Sequence, residues 1–343
     1  MKVYPPEKIR NVALVGHSGS GKTTLAEALL YRAGTISRLG RVEDGNTVFD
    51  YDPEEAKRGM SLSLAYAPFE WKGHKVNLID TPGYADFIGD VHAALRVVDL
   101  AVFVVSAVDG VEVGTERIWR LAEKMGIPRM IFINKLDKER ASFDRTLEQL
   151  RDRFGAGIAP LELPIGEEAT FHGIADLLTD KAYVYDSGQG EEGEIPEEME
   201  AREHAVHDNL VEGIVVADDD LLERYLEGDI PSVHELEKTM AVGVAAATVF
   251  PVVCGSATGP IAVDRLADFI VEIGPSPVVR NQEKIIAGDE EMEIESSSSG
   301  DPIVFVFKTI ADPYVGQISL FKALSGTVKS EMTLHNTRSG NDE

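Results

Sequence analysis

From Gly16 to Thr24 the chain reads Gly-His-Ser-Gly-Ser-Gly-Lys-Thr-Thr, a spacing of glycines, one lysine and hydroxyls suited to holding a chain of phosphates. Gly16, Gly19 and Gly21 free the backbone, with Ser20 between them, to turn N–H groups around phosphate oxygens. Lys22 supplies a point charge at the β and γ oxygens, and the Thr23 hydroxyl suits Mg²⁺. A second cluster is Asp80-Thr-Pro-Gly83. A carboxylate ending a buried apolar run is costly unless it faces a cation, so Asp80 is expected to hold Mg²⁺ through its water shell, and Gly83 to offer its N–H to a γ-phosphate. A third is Asn134-Lys135-Leu136-Asp137. A carboxylate held in plane accepts from both N1–H and the 2-amino group of guanine, donors that adenine lacks, so Asp137 would act as a base filter. Asn134 would tie this loop to the phosphate loop, and the Lys135 stem would cover a face of the base. Last, Gly255-Ser256-Ala257 is small enough for a backbone N–H to approach guanine O6.

Elements must bring these four clusters together. Asn11–Gly16, Lys75–Asp80, Leu100–Ser106, Arg129–Asn134 and Phe250–Cys254 are short apolar runs, and helical spacing follows them, as in Thr24–Arg32 and Asp264–Ile273. Such alternation predicts an α/β fold with a mainly parallel sheet covered on both faces and ligands at the carboxyl ends of its strands. Toward the end, Pro302–Lys308, Gln317–Leu324 and Gly326–Ser330 read as strands opening a small barrel, which the 43 residues from Asp301 are too few to close.

The chain has 343 residues, 43% hydrophobic and 27% charged, ample for a sizeable core. Its net charge of −26 argues against a general affinity for nucleic acid or anionic membrane, so neither DNA nor a membrane is expected as a partner. That charge is concentrated. Residues 186–237 carry 18 acidic side chains against Arg202 and Arg224, and residues 281–301 carry 7 against Lys284. The first stretch reads as the solvated face of helices; the second, ending in four serines, reads as a linker. One cysteine, Cys254, and a charged start without an apolar leader point to a reducing, cytoplasmic location. The uncharged run Thr239–Val263 is broken by Gly243, Pro251, Gly255 and Gly259, and is expected as a helix end running into a core strand. His17 is expected to serve through its backbone, and His204 and His207 to lie on a solvated helix.

With the four clusters in this order, the chain resembles GTP-binding proteins of the translational class, most closely elongation factor G and its paralogues. Gly45, Asp50, Arg58 and Gly59 are similar to that family's first switch. So are Asp86-Phe87, Val111–Glu116, Phe307-Lys308 and Asp312-Pro313 to its later segments. The resemblance implies a P-loop GTPase domain over residues 1–280 with an inserted α+β subdomain at about 155–249. An acidic linker would follow over 281–300, then an incomplete β-barrel second domain over 301–343. It implies an N-terminal fragment of a longer factor. It implies GTP and GDP as ligands, Mg²⁺ as cofactor, and the ribosome, rRNA and ribosomal proteins alike, as partner. Carried over by position, Lys22, Thr23 and Thr24 would hold phosphates and metal, Ser61 would stand where the family has a threonine metal ligand, and Gly83 would sense the γ-phosphate.

Three positions depart from the family. Tyr84 stands where a histidine orients the attacking water; a phenol brings no cation but can still position water. Gly19 and Ser18 replace an aspartate and an apolar residue. Hydrolysis would thus draw on Lys22, Gly83 and Tyr84 under altered control. A regulatory GTP switch that does not hydrolyse, a ribosomal protection-type GTPase, and a phosphate-loop ATPase or kinase stand as alternatives.

Overall fold

The computed structural model describes residues 2–186, 188–279, 282–287, 290–312 and 315–343. Seven strands form the central sheet: β1 (Ile9–Val15), β2 (Ala65–Trp71), β3 (His74–Asp80), β4 (Leu100–Ser106), β5 (Arg129–Asn134), β6 (Ile158–Pro160) and, after an insertion, β11 (Phe250–Cys254), in the order β2-β3-β1-β4-β5-β11-β6. Every neighbouring pair is parallel except β2 with β3. β4 and β5 are buried at every residue, as a sheet covered on both faces requires. Around it lie α1 (Lys22–Arg32), α3 (Ile88–Val97), α4 (Val113–Lys124), α5 (Phe143–Phe154) and α9 (Val263–Glu272); a short α2 (Pro53–Arg58) precedes β2.

The expected apolar runs are five of these strands, and the two edge strands, β2 and β6, are additions. β2 is no apolar run, although its burial alternates inward and outward along Ala65–Glu70. It is an edge strand carrying Pro68, which a central strand would not tolerate.

The insertion folds on its own sheet, β10-β9-β8-β7, formed by β7 (Glu162–Ile165), β8 (Gly173–Asp176), β9 (Lys181–Val184) and β10 (Glu191–Gly193). Three helices follow, α6 (Glu197–Val215), α7 (Asp219–Leu226) and α8 (Val233–Ala245). Thr239–Val263 accordingly contains the end of α8 and then β11, and among the described residues no helix is long and apolar enough to cross a membrane. His207 Nδ1 lies 2.7 Å from the Leu177 carbonyl and is partly buried, so it faces the insertion's own sheet.

Two expectations are corrected. The acidic stretch assigned as a linker pairs as a hairpin, β12 (Gln282–Ala287) with β13 (Glu290–Glu295). Lys284 lies opposite Glu293, and Arg96 of α3 reaches Glu283 at 2.8 Å, so fixed counter-charges hold it. Gly326–Ser330 is not a strand: Gly326 has φ +70 and its N–H donates to Ser297, turning the chain away after β15 (Gly316–Ser325). β15 pairs with β14 (Ile303–Asp312), which also packs on α3. Pro313, cited for the resemblance, lies outside the described residues, as do Arg280 and Asn281 at the expected domain boundary.

Candidate nucleotide site

β1 enters the loop Gly16–Gly21, and α1 begins at Lys22. Gly21 has φ +93, and a Cβ there would meet Asn134 Nδ2 at 2.4 Å, so only glycine allows both the turn and the close approach of β5's end. At its mouth is a cleft of about 780 Å³, lined by Gly19, Gly21, Lys22, Thr23, Thr24, Ser61, Gly83, Tyr84, Asn134 and Lys135 among others. Gly16, Ser20, Asp80, Asp137, Ser256 and Ala257 are not among its lining residues.

Lys22 is buried, and its Nζ donates to the carbonyls of Gly16 (3.1 Å) and His17 (2.8 Å), bracing the loop. Desolvation pulls its ammonium below the usual range, while desolvation pushes the Asp80 carboxyl above its own; each partly offsets the other's penalty. A phosphate against Lys22 and a cation against Asp80 would both favour the charged forms. Gly83 closes on Lys22 and the phosphate loop so tightly that a Cβ would lie 2.6 Å from both Lys22 Nζ and Ser18 Cα.

The metal candidates converge from three segments. Thr23 Oγ1 donates to Asp80 Oδ2 at 2.6 Å and lies 3.1 Å from Ser61 Oγ, which donates to Asp50 Oδ1 at 2.7 Å. Asp80 Oδ1 and Asp50 Oδ2 are buried without a hydrogen-bond partner. Oxygen-only donors with two orphaned carboxylate oxygens fit a hard divalent cation. Burial also pushes the Asp50 carboxyl upward. The sequence offers Asp50 only as part of a switch resemblance; its place in this cluster depends on the fold. Glu27 is a site residue that the sequence reading does not supply. It is a fully buried carboxylate on the inner face of α1 that accepts from Val48 N–H and so moors the segment leading to Asp50. Its one signal is a charge interrupting the apolar face Leu25–Leu30.

At the other end Asn134 Nδ2 donates to Ser20 O at 2.9 Å, and Asn134 Oδ1 accepts from Ala257 N–H at 3.0 Å and Lys135 N–H at 2.8 Å. Asn134 therefore joins three loops. Asp137 Oδ1 accepts from Ser256 Oγ at 2.7 Å, and Lys138 Nζ lies 2.9 Å from Oδ2. The backbone N–H groups of Gly255, Ser256 and Ala257, one of which is expected at O6, donate to Ile133, Ile261 and Asn134 respectively. Thr258 and Lys138, unanticipated, line the cleft here. Tyr84 is 46% exposed at the rim. His17 faces away toward α4, its Nε2 3.2 Å from Glu112.

Residues 7–276 match the sequence family described as the elongation factor Tu GTP binding domain. Elongation factor G of Mycoplasma pneumoniae (strain ATCC 29342 / M129 / Subtype 1) is 37% identical over 338 residues, which is 97% of this chain and 49% of that protein. The crystal structure of ttk003000868 from Thermus thermophilus superposes with a TM-score of 0.86 at 40% identity, covering 96% of this chain and 47% of that one. The chain spans about half the length of the relatives it matches.

Proposed function

The chain belongs to the family of the elongation factor Tu GTP binding domain, and from that membership we propose that it binds GTP and GDP, hydrolyses GTP, and serves translation on the ribosome as elongation factor G does. The observation that carries this reading is the meeting of Thr23, Ser61 and Asp80, from three separate segments, beside the buried Lys22. A guanine nucleotide lies with its phosphates on the Gly16–Thr24 loop and its base toward Asn134, Lys135 and Asp137, backed by Ser256 and Ala257. Residues 1–280 form the nucleotide-binding unit with its insertion at about 155–249, and residues from 301 begin a barrel unit.

Thr23 and Ser61, with Asp80 beside them, would hold Mg²⁺, which would supply positive charge against the phosphates. Lys22 adds a fixed positive charge at the same oxygens, released from its carbonyl tethers. Gly83 presents its N–H to the γ-phosphate, so that the segment it begins reports on that group. Tyr84, at the rim, orients the attacking water through its hydroxyl; positioning and charge stabilisation are what phosphoryl transfer mostly requires. Ser61 joins Thr23 to Asp50, so release of Ser61 from the site on loss of the γ-phosphate would free the segment 42–62.

Two measurements test this reading. Titration calorimetry should give binding with GDP and GTP, and none with ATP at the same concentrations; absence of heat with GDP ends it. Single-turnover GTP cleavage should accelerate with added ribosomes, and a rate that stays flat at saturation would leave only nucleotide binding.

A further inference from the structure

β11 delivers the loop Gly255–Ala257, and its outer edge faces β6. That pairing stops early. Phe250 N–H donates to Gly157 at 2.7 Å and Leu161 N–H to Val252 at 2.9 Å, but the Leu161 carbonyl then turns to accept from Leu177. The next donor on the same edge, Cys254 N–H, has no strand carbonyl to meet. A fully buried amide without an acceptor would be costly, and Cys254 has no exposed surface. Glu162 supplies the acceptor: its Oε2 takes the Cys254 N–H at 2.8 Å, and the side chain is wholly buried.

The inserted subdomain fixes where that carboxyl sits. Glu162 opens β7 and lies in register with Asp176 of β8; Asp176 is ion-paired with Arg265 of α9, which also holds Asp268. Asp268 in turn accepts from Trp71 Nε1 at 2.8 Å on the far edge of the main fold. From Cys254 the effect runs two and three residues onward, to Ser256 Oγ on Asp137 and Ala257 N–H on Asn134.

We infer that Glu162 is a positioning residue for base selection: it completes the last rung of β11 and so sets the loop that aims Asn134 and Asp137. The inference rests on the guanine-nucleotide reading above. The inserted subdomain thereby reaches the base pocket from behind, without touching a nucleotide.

The test measures dissociation constants for GDP and ADP by competition against a fluorescent guanine nucleotide, with thermal unfolding recorded in parallel. Glu162→Gln keeps a carbonyl acceptor and should hold the GDP-to-ADP ratio within about twofold of the parent. Glu162→Met removes the acceptor and should weaken GDP about tenfold with ADP unchanged, so the ratio falls by the same factor. A Glu162→Met ratio equal to the parent's, whatever the melting temperature does, makes the carboxyl merely structural and overturns the inference. If Glu162→Met does not fold, Glu162→Asp, one methylene too short to reach Cys254 N–H, is read by the same ratio with the same two outcomes. A parent protein that does not prefer GDP to ADP would defeat the guanine reading instead, and the two failures are thereby distinct.

Discussion

Lys308 Nζ donates to Ser63 Oγ at 2.9 Å and to the neighbouring Leu64 carbonyl, so a strand of the C-terminal β unit grips the chain two residues beyond Ser61. The same segment is held from the other side, where Leu64 N–H donates to Asp90 Oδ2 of α3 at 2.6 Å. Desolvation pulls the Lys308 ammonium below its ordinary range, a cost the nearby carboxylates of Asp90 and Glu55 partly offset.

Removing that grip should loosen the segment before it. Lys308→Met keeps most of the stem and loses both hydrogen bonds, worth about 1 kcal/mol net, so tryptic cleavage after the exposed Lys57 and Arg58 should speed up about fivefold. Limited proteolysis followed by mass spectrometry reads this directly; equal rates in the two proteins would show that β14 does not restrain this segment.

Asp137→Asn replaces an acceptor by a group that also donates. Two bonds to guanine are lost, about 3 kcal/mol together, so GDP should bind about a hundredfold more weakly. Xanthosine diphosphate, which carries a carbonyl where guanine has its amino group, should gain. Unchanged GDP affinity would mean that Asp137, already engaged with Ser256 and Lys138, is not the base reader.

Asp80→Asn substitutes an amide for the carboxylate behind Thr23. The Mg²⁺ concentration that half-restores GTP binding after chelation should rise about tenfold, while binding in excess EDTA stays as in the parent. A titration midpoint identical in both would remove Asp80 from the metal site.

Glu162 predicts a pH dependence. Burial holds its carboxyl well above the usual range, with Arg265 and the Cys254 N–H favouring the anion and Asp176 and Asp264 opposing it. The native protein keeps this proton to higher pH than the unfolded chain, whose carboxyl releases it near about 4.3. Above that value the unfolded state binds fewer protons, so stability falls as pH rises, by up to about 1.4 kcal/mol per unit. Glu162→Gln has no such proton. Its stability relative to the parent should climb as pH rises above about 4.3 in urea titrations, and parallel curves would count against a neutral native carboxyl.

How much of the molecule is legible in its sequence follows from distance along the chain. The phosphate loop lies within nine consecutive residues, Gly16 to Thr24, and its shape is set by glycine torsions and a strand-to-helix junction, so residue types alone announce it. The apolar runs of β4 and β5 are equally plain, because strands buried on both faces have no polar side to confuse the pattern, and β1 and β3 share that character only toward their carboxyl ends. β2 and the β12–β13 hairpin escape such a reading: an edge proline hides one, and an acidic composition that needs Arg96 as counter-charge hides the other.

The sequence by itself determined that this chain would build a phosphate loop on a parallel sheet and follow a strand with the turn Asn134–Asp137, since each is a local arrangement of backbone and a few side chains. Only the tertiary structure decided that Asp50 joins Thr23 and Asp80, that Lys308 grips Ser63, and that Glu162 serves Cys254 across 92 positions. A buried carboxyl or ammonium takes its partner from whatever packing places against it, and neither composition nor period specifies which surfaces will meet.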